Sequence, residues 1–162
     1  MTFNIDVQND DAYPADAARL AAAAAAALSV HGAPADAALT VVLTSDEAVA
    51  ALNVQYRGVD APTDVLSFPA GAPPVSIPDE PPYLGDLVIA YPYAAAQAQA
   101  LGHRLDDSLA LLVVHGTLHL LGCDHDSADS RAAMWAAQAR ALDALKISTE
   151  IMPALEDSTH GE

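Results

Sequence analysis

His115, His119 and His125 fall within one eleven-residue run, His115-Gly-Thr-Leu-His-Leu-Leu-Gly-Cys-Asp-His125, and their spacing has the form of a metal-ligand set. Two histidines four residues apart on a helix project from one face, a single turn apart. Gly122 offers a left-handed helix end, where a residue without Cβ costs least, so the chain can turn back and carry His125 towards the other two. Three imidazoles converging on a point, with a fourth direction open, form the ligand set of a catalytic zinc site. Structural zinc sites are usually closed by four protein ligands, often thiolates, and this chain has one Cys. The alternative is three separately hydrogen-bonded core histidines, which the i, i+4 pair and the third histidine beyond a helix-stopping glycine argue against. The ion expected is zinc, with another divalent transition metal compatible with the same imidazoles. His31, His103 and His160 stand apart from the run and are expected to be solvated.

Helices and strands must hold these side chains. Phe3 to Val7 alternates apolar and polar like a strand with one buried face, and Leu39 to Leu43 and Thr63 to Phe68 read as two more. Asp86 to Ala90 is the fourth. Pro14 suits the start of a helix reaching about Val30, and Ser45 is an N-cap candidate for another reaching about Tyr56. Helices are also expected from Pro92 to Leu101, from Arg104 to Leu121 with the first two histidines at its C-terminal end, and from about Ser127 to Leu145. Ala70 to Pro82 is rich in Pro and Gly and reads as a surface loop. The expected fold is α+β, a single domain over 1–148 with a small four-stranded mixed sheet, about five helices and the histidine motif ending a buried helix. The tail from Thr149 to Glu162 is expected to be disordered.

At 162 residues the chain is long enough for one domain with a proper core. No stretch is long and apolar enough for a transmembrane helix, and the first residues carry no positive side chain of a secretory signal. With a single Cys, a cytoplasmic protein without a membrane role is expected. The formal net charge of −16, from 22 acidic residues against six Lys and Arg, favours solubility and opposes a polyanionic partner. A nucleic-acid footprint would have to be local, built from Arg57, Arg104 and the metal itself.

The spacing His-x3-His-x2-Gly-x2-His is also that of metzincin proteases, in which the residue after the first histidine is a glutamate base. Here that position is Gly116, so the proton-transfer group of a protease is missing. A wider match exists. The block Leu52-Asn-Val-Gln-Tyr-Arg57-Gly-Val-Asp-Ala-Pro-Thr-Asp-Val-Leu-Ser-Phe-Pro69, then Gly85-Asp-Leu-Val-Ile89, then the histidine run, resembles the YbeY family. That family comprises bacterial metal-dependent endoribonucleases of rRNA maturation and ribosome quality control. The resemblance spans about Leu52 to His125; the alanine-rich N-terminal third agrees only in its strand–helix–strand pattern.

The resemblance implies that His115, His119 and His125 are the zinc ligands and that Arg57 is catalytic. A planar guanidinium meets two phosphoryl oxygens at once, and zinc polarises a phosphate and acidifies water, so phosphodiester cleavage needs no glutamate at position 116. Asp124, beside His125, is a candidate to orient an imidazole through its free N–H, or else a helix cap or a solvated carboxylate. Cys123 is expected to be a small packed thiol rather than a ligand. The implied substrate is single-stranded RNA, an rRNA precursor, with a ribosome or basic ribosomal protein as possible partner. Two other readings stay open at this point: a metallopeptidase or small-molecule metallohydrolase, and a non-catalytic ribosome assembly factor with a structural metal.

Overall fold

The computed structural model describes residues 3–70, 82–123 and 127–156. In chain order the elements are β1 (Asn4–Gln8), α1 (Ala17–His31), β2 (Ala38–Thr44), α2 (Asp46–Arg57), β3 (Val65–Pro69), β4 (Tyr83–Ala90), α3 (Tyr91–Leu101), α4 (Leu105–Leu120), α5 (Ala128–Ala144) and a 3-10 helix (Thr149–Glu156). This is the small α+β domain expected, with a four-stranded mixed sheet in the order β1-β2-β4-β3. β1 and β4 run parallel to β2, with Val7 opposite Val41 and Val41 opposite Leu87. β3 closes one edge antiparallel to β4, with Val65 opposite Ile89.

The period of two along each strand gives the sheet two different faces. Leu39, Val41, Leu43, Val65, Leu87 and Ile89 join the main core with α1, α4 and α5. Leu66, Val88 and Ala90 turn to the other face, where Val49 of α2 meets them in a smaller cluster. α4 is apolar nearly all round, and every residue from Leu109 to Leu118 is buried, as suits a helix enclosed by a core. His115 and His119 therefore stand in the last turns of a buried helix.

Several boundaries depart from the sequence pattern for identifiable reasons. α1 starts at Ala17, not Pro14, because the Asp16 side chain accepts the amides of Ala18 and Arg19. β3 starts at Val65: Asp64, fully buried, turns its carboxylate back to accept the Val65 amide at 2.8 Å. β4 starts at Tyr83, three residues before Asp86, because Gly85 continues the strand at φ +139, where a Cβ would run into the Phe68 carbonyl oxygen. His103 is half-buried rather than solvated, its amide bonded to the Ala98 carbonyl at 2.9 Å as the chain turns at Gly102. The disordered tail is corrected over Thr149–Glu156, which forms the 3-10 helix against α4 and α5. Ile151 and Met152 are buried there, so apolar burial outweighs the polar character of the flanking residues, and Met152 is a core residue. Residues 157–162 of the expected tail, and residues 71–81 of the stretch expected to be a surface loop, lie outside the described residues.

Candidate metal centre

α4 is built to present its last turns rigidly. Asp106 and Asp107 complement the dipole at its first turn, and its C-terminus closes in a Schellman arrangement. The Gly122 amide bonds the His119 carbonyl at 3.0 Å and the Cys123 amide bonds the Leu118 carbonyl at 3.0 Å, with Gly122 at φ +94. The glycine expected to turn the chain does so. Cys123 is half-buried and packs against the main core.

His115 is buried, 3% exposed, and His119 is half-buried one turn later. Their rings meet edge to face, centroids 4.6 Å apart and planes at 80°, which brings the two Nε2 atoms within 3.1 Å. Two nitrogens at zinc-bonding distance from one tetrahedral ion stand ~3.3 Å apart, so this pair fits such an ion closely. The other nitrogen of the His115 ring is fixed, its Nδ1 2.7 Å from Oε1 of Gln138 on α5. His125, the third ligand expected, and Asp124 lie outside the described residues.

Gly116 faces the sheet. A Cβ built there lies 2.7 Å from Leu87 Cδ2 and 3.3 Å from Ser67 Oγ, so the position that carries a base in metzincins is occupied here by close helix–sheet packing.

Arg57 comes from a different helix. It ends α2, which packs on the face away from α4, and Gly58 caps that helix at φ +71. The guanidinium is exposed, with Nη1 donating to Asn53 Oδ1 at 3.2 Å. Asn53 is fully buried and donates its own amide to the Ala61 carbonyl at 2.8 Å, tying the helix end to the loop that leads into β3. Beside it the Tyr56 ring stands edge-on to Phe68 of β3, centroids 5.1 Å apart. Ser67, the preceding residue of β3, reaches the other way and bonds the Gly116 carbonyl of α4 at 3.5 Å. The structure thus pairs His115 with His119 and Arg57 with Asn53, and β3 touches both neighbourhoods, through Phe68 against Tyr56 and Ser67 against Gly116.

A family model described as Endoribonuclease YbeY matches residues 4–146. The chain belongs to the YbeY endoribonuclease family. Relatives carrying that name include one from Chloroflexus aurantiacus, 43% identical over 136 residues that cover 82% of this chain and 88% of that protein. Another, from Thermobifida fusca, is 41% identical over 153 residues, covering 91% and 97%. A third, from Gloeobacter violaceus, is 50% identical over 111 residues, covering 67% and 57%. The solution structure of a Thermotoga maritima protein shares the fold at a TM-score of 0.57 and 22% identity, over 90% of this chain and 92% of that one. Membership of the YbeY family does not favour the peptidase, small-molecule hydrolase or non-catalytic readings.

Two anchoring residues carried too weak a signal in the sequence to be singled out. Asn53 stands four residues before Arg57 on one helix face, and Gln138 is the one amide on an otherwise apolar stripe of α5.

Proposed function

We propose that this endoribonuclease, a hydrolase of phosphodiester bonds, cuts single-stranded RNA in rRNA maturation and ribosome quality control. It would do so with one metal ion, zinc, held by His115, His119 and His125, and with Arg57 as the residue that meets the scissile phosphate. The observation that carries the proposal is the pair of Nε2 atoms 3.1 Å apart at the end of a buried helix. Bound there, zinc supplies Lewis acidity towards a phosphoryl oxygen and acidifies water near neutral pH. The protein's own residues do the rest. Arg57 offers a flat fork of donors to phosphoryl oxygens as negative charge develops on them, and Asn53 limits the directions that fork can take. The packing of Gly116 on Leu87 sets the depth of α4, and with it the position of both imidazoles.

The substrate would reach the site from the cytoplasm, as an rRNA precursor presented by the ribosome or a basic ribosomal protein. Such a partner would offset a formal net charge of −16. Asp124 remains a candidate to orient His125 through the imidazole N–H.

The test is cleavage of an end-labelled single-stranded RNA by zinc-loaded protein beside Arg57→Ala and His119→Ala, with folding checked by circular dichroism. Wild type should cut. Arg57→Ala should keep its zinc and lose about 10²–10³-fold in rate, the scale of losing one donor to a developing oxyanion. His119→Ala should lose both zinc and cleavage. Equal cutting by all three proteins would mean a contaminating nuclease, and zinc binding without any cutting would make the metal structural.

A further inference from the structure

The buried residues of α5 are Met134, Ala137, Gln138, Ala141 and Leu142, four apolar side chains and one amide. Gln138 is 1% exposed, and a carboxamide in such surroundings is costly unless its polar atoms find partners. Its oxygen has one: Oε1 lies 2.7 Å from Nδ1 of His115. An amide oxygen can only accept, so the imidazole must donate and its proton sits on Nδ1. A neutral imidazole protonated at Nδ1 carries its lone pair on Nε2, the atom 3.1 Å from Nε2 of His119.

We infer that Gln138 is a positioning residue for the metal centre: it holds His115 in the Nδ1–H tautomer and fixes the ring so that the Nε2 lone pair faces the ion. The inference rests on the proposed metal site. An amide in this role differs from a carboxylate, which would raise the basicity of the imidazole and place a negative charge behind the ligand. Gln138 orients the ring without adding charge. The centre keeps the full positive charge of its ion for an anionic phosphate, which matters in a chain this acidic.

The tautomer and the metal are measured separately. In zinc-free protein, ¹⁵N imidazole correlation spectra should show His115 protonated at Nδ1. Gln138→Leu should move that proton to Nε2 or mix the two forms, and should weaken zinc binding about 10–100-fold in competition with a chromophoric chelator. Gln138→Glu, which keeps an acceptor at the same reach, should restore both the Nδ1–H form and zinc binding at wild-type strength or tighter. If the leucine variant fails to fold, Gln138→Met takes its place, matched in length but without the acceptor. His115 protonated at Nε2 in the wild type would overturn the inference, as would a folded leucine or methionine variant with unchanged tautomer and zinc affinity. A wild-type protein with the Nδ1–H form that binds no zinc would instead overturn the metal reading, leaving Gln138 as a structural partner of the ring.

Discussion

Arg57 owes its direction to Asn53, and this pair is where the chemistry is most exposed to single substitutions. Asn53→Ala removes an acceptor from the guanidinium and a donor from the Ala61 carbonyl, both at a fully buried side chain. It should cost about 1–3 kcal/mol in chemical denaturation, the penalty of leaving a buried partner unsatisfied. Cleavage should fall further than the loss of folded protein explains, because Arg57 then samples more directions. Arg57→Lys keeps the charge but not the fork, and should recover only part of the activity that Arg57→Ala loses. At this scale the sequence is legible wherever spacing encodes geometry. His115 and His119 meet because four residues make one helical turn, and Gly122 reverses the chain because left-handed backbone favours glycine. Arg57 is different. It is one of only six Lys and Arg side chains, and nothing local marks it as catalytic, so that role comes from family resemblance alone. Gln138 was hidden for another reason: its partner is 23 residues away on a different helix, and no local pattern reports that distance.

Elements place these residues through a few close approaches. Gly116 lets α4 sit against Leu87 and Ser67, so Gly116→Ala sets the helix propensity of alanine, about 1 kcal/mol, against overpacking of about 1–3 kcal/mol. The expected result is a net loss of stability with weakened zinc binding, since both imidazoles ride on that helix. At Gly85 the positive φ and the Phe68 carbonyl both exclude a side chain, and Gly85→Ala should be more damaging in thermal melts than Gly116→Ala. The 3-10 helix makes a complementary point. Ile151→Ala should destabilise by about 2–4 kcal/mol as a core truncation; a change within 0.5 kcal/mol would mean that the segment contributes little to the fold. The long elements were readable from their periodicity, since a 16-residue buried helix and alternating strands leave few alternatives. The short ones were not. A few apolar residues in a short tail carry no period, and the start of β4 is masked by a glycine that a sequence pattern reads as a breaker.

For the whole molecule, charge governs both stability and substrate approach. Tyr83 and Tyr91 are held above the ordinary phenol value of 10.0, first by burial and then by neighbouring carboxylates, Asp86 for Tyr83 and Asp106 for Tyr91. Above that value the unfolded chain releases these protons while the folded one keeps them, so stability should be full below pH 10 and fall as pH rises beyond it. Denaturant titrations at increasing alkaline pH would check the sign. Salt provides the sharper test. With −16 overall, long-range repulsion should hinder RNA at low ionic strength, and adding salt would relieve it. A local cationic site acts in the opposite direction, because contacts to phosphates release counterions and weaken as salt rises. Of the six basic side chains Arg19 is already committed to Asp107 at 3.1 Å, so few remain to join the metal and Arg57. Three phosphate contacts would give a slope of about −2 for single-stranded RNA, about a 15-fold loss between 50 and 200 mM salt. Fluorescence anisotropy with a labelled single strand and the cleavage-impaired Arg57→Ala control reads that slope. A clear negative slope that flattens in the control places RNA binding in the metal–arginine site. A flat or rising response means that the acidic surface prevails, and that RNA must be delivered by a basic partner rather than captured from solution.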